Sequence, residues 1–283
     1  MQIWALANQK GGTGKTTTAI HLAGALAGHG KRCLLVDLDP QAHATLGMGV
    51  AVEEGVSIAS TFLDSTPLRR VIRTTRAGFH LAPSEVRLGE FEEVAERSLL
   101  PEGILAGALG EVSARYDWVI LDCPPRADGV LTRNAIRAAT MTLLVVETGA
   151  FALQGALRAR RLFEEQTREL GRPLPLRLLA TMFERDSPMS REFLIALQAR
   201  FRGIMLDTVI RRDEVLRRAV ACGIPAPNLD PNADAVDDFE ALAEEVAGIA
   251  QEADSWIPRG ACSPPTFQPE VHPLSDDVVP EPR

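Results

Sequence analysis

The stretch NQKGGTGKTTTAIHLAGALA, residues 8–27, decides the fold of this 283-residue chain. An apolar run at residues 2–8 precedes its glycines, and apolar residues recur at helical spacing across residues 16–28. A glycine-rich loop between a buried strand and a helix is typical of a phosphate-binding P-loop, because glycines let backbone N–H groups converge on phosphate oxygens. The common pattern G-x-x-x-x-G-K-[ST] would have glycine where this chain has Gln9, which is followed by a second cation, Lys10.

Composition indicates a soluble, cytoplasmic globular protein. The chain is 46% apolar and 24% charged, and it has no apolar run near the ~18 residues that span a bilayer. Its length allows one large domain or two small ones. The cysteines are scattered without C-x-x-C spacing, which favours reduced structural thiols over a metal or redox framework. They are Cys33, Cys123, Cys222 and Cys262.

Charge is distributed unevenly along the chain, which has a net charge of −8. Residues 150–225 contain 14 arginines and 9 acidic residues, whereas residues 226–283 contain 2 arginines and 13 acidic residues. The net charge argues against a uniform coat of nucleic acid, but the basic segment leaves a local anion-binding surface open. Only three of the 30 basic residues are lysines, and two of the three, Lys10 and Lys15, lie in the glycine loop.

The pattern of the loop region repeats along the chain. Short apolar runs alternate with segments of helical spacing, and tight connections between them are typical of βαβ units in a parallel sheet. Strands are predicted at residues 2–8, 32–39, 79–84, 117–125, 140–147, 174–183 and 204–210, and helices at residues 16–28, 67–72, 88–97, 101–114, 130–139, 151–170, 187–202 and 234–252. The prediction is an α/β P-loop NTPase fold, a mostly parallel central sheet with helices on both faces.

One domain is predicted over residues 1–254, followed by a disordered tail. Residues 255–283 contain seven prolines and show no periodicity. The helix predicted at residues 234–252 has an apolar stripe and an acidic back. We expect it to pack on the body of the protein, because anionic lipid would repel its exposed face.

Five side chains at strand or helix ends are candidates for phosphate and metal chemistry. Lys15 would lie along the β- and γ-phosphates, and the Thr16 hydroxyl would reach Mg²⁺. Asp122 ends an apolar strand, as a Mg²⁺-binding carboxylate does in such sites, although an aspartate there can also simply cap a helix. Asp37 and Asp39 share one face at the carboxyl edge of the sheet. One can order the metal and the other can position an attacking water, unless both only form a polar strand end.

Four segments in order resemble the ParA/Soj branch of the deviant Walker A ATPases, which are relatives of MinD. They are KGGTGKTT (residues 10–17), LLVDLDPQ (34–41), YDWVILDCPP (116–125) and FALQGALRARRLFEEQ (151–166). The similarity runs from residue 1 to about residue 248. It implies an ATP- and Mg²⁺-dependent homodimer with two nucleotides at its interface, and weak intrinsic hydrolysis until an activating partner completes the site.

The resemblance also assigns roles to single residues. Lys10 matches the family's signature lysine, which reaches across the dimer and stabilises charge on the partner's transferred phosphoryl group. Gly11 is where the partner approaches closely, and Thr17 meets the α-phosphate. Asp39 positions the attacking water, and Asp37 joins the metal set. The implied nucleotide contacts are Lys10, Gly11, Gly12, Thr13, Gly14, Lys15, Thr16, Thr17 and Met182, with Lys10, Lys15 and Asp39 catalytic and Thr16, Asp37 and Asp122 binding the metal.

The chain departs from the family near the expected base pocket and DNA-binding face. Members commonly have V-I-P-R-N-V-R-L where this chain has VIRRDEVLRR, residues 209–218. Arg212 keeps an arginine of that pattern, whereas Arg211 replaces its proline and Asp213 its asparagine. A later D-P-R-S-R-G is DPNADA here, residues 230–235, which loses two cations. The adenine contact is therefore less firmly predicted than the phosphate contacts.

Other arginines offer a substitute for the lost cations. A patch of them, doubled by dimerisation, would bind DNA without sequence preference and in a salt-sensitive way. The candidates are Arg185, Arg191, Arg212, Arg217 and Arg218. The competing interpretation is that these arginines are solvated and offset by acidic neighbours, which are Glu184, Asp186 and Glu192.

The motif set and the basic segment together favour a partition-type ATPase. In this hypothesis ATP closes a dimer, the dimer binds nucleoid DNA without sequence preference, and a ParB-like or analogous partner stimulates hydrolysis. The cargo that is partitioned or positioned can be a plasmid, a chromosome or a protein complex. The protein is then expected in the cytoplasm, associated with the nucleoid.

Two other classes compete with this hypothesis. A MinD-like spatial regulator acting through membrane or protein partners is the main alternative, but its membrane form requires a basic amphipathic C-terminal helix, which residues 255–283 lack. A metal-cluster reductase similar to the nitrogenase iron protein would need two cysteines at a dimer seam. Cys33 lies in a predicted strand and Cys123 in the DCPP segment, residues 122–125, which we interpret as a switch that senses the γ-phosphate, so neither suits that role.

Overall fold

An eight-stranded sheet is the centre of the computed structural model, which describes residues 1–53, 55–95 and 102–256. The strands are β1 (Gln2–Ala7), β2 (Cys33–Asp37), β3 (Arg73–Thr74), β4 (His80–Ala82), β5 (Trp118–Asp122), β6 (Met141–Glu147), β7 (Leu176–Phe183) and β8 (Met205–Arg211). They lie in the order β3-β4-β2-β5-β1-β6-β7-β8. Neighbouring strands are parallel, apart from the antiparallel pair β3 and β4 at one edge.

Helices connect the strands and cover the sheet. They are α1 (Lys15–Gly28), α2 (His43–Gly47), α3 (Ile58–Leu63), α4 (Leu68–Val71), α5 (Leu88–Ala95), α6 (Ile104–Gly110), α7 (Val130–Ala138), α8 (Ala152–Glu169), α9 (Pro188–Arg200), α10 (Glu214–Ala221), α11 (Ala226–Leu229) and α12 (Asp234–Trp256), with a short 3₁₀ helix, Ser113–Arg115, after α6. In the described part of the chain, none of these helices is both long and apolar enough to cross a membrane.

Two hydrophobic cores lie on the two faces of the sheet, because successive side chains of a strand point to opposite sides. In β1, Ile3 and Ala5 join the core that α6, α7 and α8 cover. Trp4 and Leu6 of the same strand join the core that α1, α10 and α12 cover. Strands buried on both faces explain the continuous apolar runs in the sequence. The predicted α/β fold with helices on both faces is confirmed.

The strand order brings the chemistry-bearing segments together at one edge of the sheet. β5 lies between β2 and β1, and Asp122 in β5 is in register with both Asp37 in β2 and Leu6 in β1. The carboxyl ends of these three strands therefore meet next to the glycine loop that follows β1. Open α/β sheets bind their ligands at this edge.

Acidic side chains of α12 cover the other edge strand, β8. The backbone N–H groups of Asp207 and Thr208 donate to the Glu245 carboxylate at 2.8 and 2.9 Å. The N–H of Arg211 donates to Asp238 at 2.9 Å. An edge strand otherwise presents unpaired N–H groups that can pair with another chain. The last helix thus both buries its apolar stripe and protects the edge of the sheet.

The element boundaries differ from the predictions in a few places. The helix predicted over residues 101–114 is split into α6 and the 3₁₀ helix, and α2, α3, α10 and α11 were not predicted. The helix α12 continues to Trp256, two residues past the predicted domain boundary at residue 254. The rest of the predicted tail lies outside the described residues.

Candidate functional site

The glycine loop, residues 8–14, connects β1 to α1. Gly12 and Gly14 have φ angles of 77° and 85°, in a region that residues with a Cβ rarely occupy. The helix begins at Lys15, and its N-cap, Gly14, has no side chain with which to cap the first N–H groups. These backbone donors and the positive end of the helix dipole are therefore directed to the loop, where they suit an anion such as phosphate.

Side chains from the neighbouring strands hold the loop in shape. The Asn8 side-chain amide donates to the Val145 carbonyl at 2.7 Å and accepts from the Lys10 backbone N–H at 3.2 Å. The Thr181 hydroxyl donates to the Thr13 carbonyl at 2.8 Å. The loop is thus ordered by the protein itself, so a ligand would not bear the entropic cost of ordering it.

Lys15 lies beneath the loop with its side chain largely buried. Its ammonium donates to the Lys10 carbonyl at 3.3 Å, and only 7% of the residue is exposed. Burial lowers the pKa of Lys15, and the negative charge of Asp122, ahead of other neighbours, counteracts this effect. The lysine is a buried cation that an anionic ligand in the loop would stabilise.

Asp37 is fully buried at the end of β2. Its carboxylate accepts from the Thr45 N–H at 2.9 Å, from the Thr45 hydroxyl at 2.7 Å and from the Asp39 N–H at 3.2 Å. Burial nevertheless raises the pKa of Asp37 to about 6, because the hydrogen bonds only partly offset the loss of solvent. The helix α2, which contributes Thr45, thereby orients the Asp37 carboxylate.

Asp122 lies beside Asp37, but hydrogen bonds do not offset its burial as they do for Asp37. Both carboxylate oxygens are buried and lack a hydrogen-bond partner within the described residues. Burial, and then the negative charge of Asp37, raise the pKa of Asp122 well above its usual value. The Thr16 hydroxyl and Lys15 oppose that shift, although the hydroxyl does not reach normal hydrogen-bond geometry. An ionised Asp122 therefore needs a further cation.

Thr16, Asp37 and Asp122 fit the needs of Mg²⁺ on this observation. The orphaned carboxylate oxygens of Asp122 are hard ligands of the kind that Mg²⁺ prefers. Mg²⁺ usually binds one or two protein carboxylates together with substrate phosphates and water. Among residues 1–53, 55–95 and 102–256, no group of three or more His, Cys, Asp or Glu side chains is arranged to hold a metal ion.

A cavity of about 680 Å³ opens above the loop. Lys15, Thr16 and Thr17 line it together with Asp39, whose carboxylate accepts from the Gln41 N–H at 2.9 Å. A wider cleft of about 1100 Å³ lies on the other side of Asp39, but none of the loop glycines lines it. The smaller cavity is therefore the candidate phosphate site, and Asp39 lies at its border.

A third cavity, of about 290 Å³, begins at the loop and lies between β7, β8 and α10. Its walls include Thr17, Met182, Leu216 and Phe239. Met182 has a φ of 55°, which for a residue with a Cβ costs about 1 kcal/mol. Such strain is often retained at binding sites, and Met182 lines both this cavity and the one above the loop. We name the cavity of about 290 Å³ the base cleft.

Comparisons with known proteins agree with this geometry. A family model described as an AAA domain matches residues 1–171. The chain is 37% identical to the chromosome-partitioning ATPase Soj of Thermus thermophilus over 257 residues, which cover 88% of this chain and 96% of the Thermus protein. The chain belongs to the Soj/ParA family.

A second relative and a solved structure are also similar to this chain. The sporulation initiation inhibitor protein Soj of Bacillus subtilis is 33% identical over 251 residues, covering 87% of this chain and 98% of the Bacillus protein. Cobyrinic acid a,c-diamide synthase from Mycobacterium smegmatis, crystallised with an ATP analogue and magnesium, superposes with a TM-score of 0.78 at 26% identity. The superposition covers 89% of this chain and 97% of the synthase chain.

Lys10, the first residue of the KGGTGKTT motif, contacts an acidic residue of the same chain. Its ammonium forms an ion pair with Glu147 at the end of β6, and 51% of the lysine side chain is exposed. Glu147 was not among the predicted site residues, although an acid that ends a strand at the same sheet edge as Asp122 is a usable signal for such a residue. The pair holds the Lys10 ammonium at the rim of the loop, where it is partly exposed to solvent.

The arginines predicted to contact DNA fall into two groups on the surface of the Soj/ParA chain. Arg185 and Arg191 lie together, with the Arg191 guanidinium donating to the Arg185 carbonyl at 2.7 Å. Arg212 lies near them at the end of β8, whereas Arg217 and Arg218 project from α10. All five are exposed: Arg185, Arg191, Arg212, Arg217 and Arg218.

Acidic partners reduce the positive charge of two of these arginines. Arg212 pairs with Glu184 at 2.5 Å, and Arg217 pairs with Glu214 at 3.6 Å. Such exposed pairs contribute little to stability, and phosphate can compete for the guanidinium groups. The role of these arginines in DNA binding stays a prediction.

The thiols described by the structure do not form a cluster site. Cys33 and Cys123 are buried on β2 and after β5, and burial raises the pKa of both thiols, to about 12 for Cys33. Cys222 is exposed at the end of α10. Buried, protonated thiols are poor metal ligands. The environments of Cys33 and Cys123 suit structural thiols, whereas Cys222 is exposed and Cys262 lies outside the described residues.

Proposed function

We propose that this protein is a partition-type ATPase that dimerises on ATP, binds DNA without sequence preference and positions a cargo. The observation that carries the proposal is the Asp122 carboxylate, which is buried without a hydrogen-bond partner among the described residues and lies near Lys15 and the glycine loop. Lys15 and Asp122 offset each other's burial only in part, so each still lacks a full counter-charge next to the anion-binding loop. A nucleoside triphosphate with Mg²⁺ supplies both missing charges, so ATP and Mg²⁺ are the ligands that fit.

The residues would divide the chemistry of ATP hydrolysis among them. The loop N–H groups and Lys15 bind the phosphates, and Thr16, Asp37 and Asp122 hold Mg²⁺. When bound, the metal neutralises charge on the β- and γ-phosphate oxygens. Asp39 orients a water for in-line attack on the γ-phosphate. Phosphoryl transfer depends mainly on such positioning and charge stabilisation, so slow turnover is expected while one cation is missing.

Lys10 would supply that cation to the nucleotide of a second protomer. Its ammonium must first leave Glu147, and it exchanges a carboxylate for phosphate oxygens as the dimer closes. Donation of a cation from a neighbouring subunit acts as an arginine finger does. Dimerisation and hydrolysis are therefore coupled in this proposal, and a ParB-like or analogous partner accelerates the coupled state.

The body, residues 1–254, would carry these activities, and residues 255–283 would form a tail without a catalytic part. The dimer doubles the exposed arginines, which supports salt-sensitive binding to nucleoid DNA. We therefore expect the protein on the nucleoid in the cytoplasm, with a cargo that its partner protein specifies.

Gel shifts with a long DNA duplex test this proposal. The protein is incubated with Mg²⁺ and either ATP or ADP at two salt concentrations. We expect a shift with ATP that weakens at the higher salt, and little shift with ADP. Binding that ignores the nucleotide, or no binding at all, would contradict the proposed DNA-bound dimer. Sedimentation with anionic liposomes and ATP tests the MinD-like alternative in parallel.

A further inference from the structure

We propose that Asp213 lets the base cleft accept guanine nucleotides as well as ATP. The inference rests on the proposed function, because it places the nucleobase in the cleft next to the phosphate loop. Gly14 and Thr17 line the cleft at the loop end, and Met182 and Leu216 supply apolar walls that suit a planar ring. The polar groups on the remaining wall then decide which base edge is recognised.

The arginines in that wall are already engaged. The Arg211 guanidinium donates to both carboxylate oxygens of Asp238, at distances of 2.7 to 3.0 Å, and it also pairs with Asp234. Two further arginines of the wall have acidic partners, which are Glu184 for Arg212 and Glu214 for Arg217. The Arg211 guanidinium is therefore a poor candidate for donating to a base, whereas the exposed pairs of Arg212 and Arg217 occupy only part of their donors.

Asp213 is the acidic side chain of the wall and is held in a fixed orientation. It is the N-cap of α10, and its Oδ1 accepts from the Val215 N–H at 2.9 Å. Within the described residues, the second oxygen, Oδ2, has no hydrogen-bond partner. A carboxylate only accepts hydrogen bonds, so Asp213 offers a base acceptors and no donor.

Purine edges differ in how they match a pure acceptor. Guanine presents two neighbouring donors, its N1–H and its 2-amino group, and one carboxylate can accept from both. Adenine presents its 6-amino group beside a ring nitrogen that is itself an acceptor, so the carboxylate gains one bond and faces a lone pair. An asparagine side chain has both an acceptor and a donor and matches adenine better. Asp213 therefore weakens the discrimination against guanine.

The test compares the affinities of the full chain for two analogues that are not hydrolysed. Isothermal titration with Mg²⁺ and either AMPPNP or GMPPNP gives the ratio of the two dissociation constants. We expect the wild-type ratio to lie within about tenfold. Asp213→Asn should shift the ratio towards the adenine analogue by about tenfold, which is the usual effect of one well-made pair of hydrogen bonds.

The substitution has a matched control. Asparagine caps a helix as well as aspartate does, so Asp213→Asn should leave α10 intact, and circular dichroism checks this. Asp207→Asn removes the same charge from β8 outside the cleft and should leave the ratio unchanged.

Two outcomes overturn the inference: wild-type protein that prefers the adenine analogue by about a hundredfold or more, or a folded Asp213→Asn variant with an unchanged ratio. The first outcome decides the matter even if the variant fails to fold. Selective adenine binding leaves the proposed ATPase standing. Failure of both analogues to bind would instead refute the proposed function itself.

Discussion

Asp37 and Asp122 lie side by side and are fully buried. Their burial makes the stability of the ligand-free protein depend on pH. The pKa of each carboxyl is higher in the folded than in the unfolded chain, so the folded state holds these protons more tightly. Their contribution to stability is therefore fully present below about pH 4. It is lost as the pH rises through the folded pKa of Asp37, about 6, and through the raised pKa of Asp122.

Asp122→Asn should make the ligand-free protein more stable at pH 7, because the folded wild type must either bury the Asp122 charge or take up a proton that the unfolded carboxyl does not hold at this pH. We expect a gain in the free energy of unfolding on the order of 2 kcal/mol that shrinks towards pH 4. Urea unfolding across this range, without nucleotide or Mg²⁺, measures it. Asp117→Asn is the control with the opposite sign, since Arg32 lowers the pKa of Asp117 to about 2. A variant less stable than wild type at pH 7 would show that Asp122 is already compensated.

Ala42 carries strain in the segment that orients Asp37. It has a φ of 55° just before α2, the helix that contributes Thr45. Ala42→Gly should raise the free energy of unfolding by about 1 kcal/mol, because glycine adopts this conformation without a steric penalty. Urea denaturation compares it with Ala44→Gly inside α2, which should be destabilising. Equal losses for both variants would argue against strain at Ala42.

The local residue pattern was enough to predict part of the site. Lys15 and Thr16 follow from the loop motif, and Asp122 from its place at a strand end. The Lys10 contact to Glu147 was not predictable in this way, because 137 residues separate the two side chains along the chain. Such a contact depends on the strand order, which places β6 next to β1.

At the scale of elements, the attachment of α12 to β8 determines one wall of the base cleft. Asp238 binds the Arg211 guanidinium and accepts from its backbone N–H, and both side chains are largely buried. The same pair therefore joins the last helix to the edge strand and keeps Arg211 away from the base.

Asp238→Ala should destabilise the protein by about 2 kcal/mol, because it leaves the Arg211 guanidinium and an edge N–H without their acceptor. Chemical denaturation provides the measurement. Asp237→Ala, at the exposed neighbouring position, should change the free energy of unfolding by less than about 0.5 kcal/mol. Equal effects of the two substitutions would mean that Asp238 contributes only general charge.

Elements with long apolar runs or clear helical spacing were predicted, and short ones were not. The helix α10 has only Val215, Leu216 and Ala219 as buried apolar residues, and charged residues surround them. The strand β3 is two residues long and exists because it pairs with β4. The helix α10 is amphipathic but only eight residues long, and β3 is shorter still, so neither fills the window over which a periodic pattern can be recognised.

At the scale of the whole molecule, the proposed mechanism requires the Lys10 ammonium to change its partner. In one protomer its ammonium contacts Glu147, and in the proposed dimer it contacts the phosphates of the partner's nucleotide. Lys10→Ala should therefore retain nucleotide binding, since Lys15 and the loop remain, but it should lose hydrolysis. Asp39→Ala should also bind nucleotide and lose hydrolysis, for lack of a positioned water.

Mixing these two inactive variants tests the central claim most directly. In a mixed dimer, the Lys10→Ala protomer keeps its own Asp39 and receives an intact Lys10 from its Asp39→Ala partner, so one complete site forms. We predict that steady-state ATP hydrolysis in the presence of DNA appears on mixing, at a level that neither variant reaches alone. If the mixture stays as inactive as its components while both variants still dimerise on ATP, Lys10 does not act across the dimer, and the account is wrong.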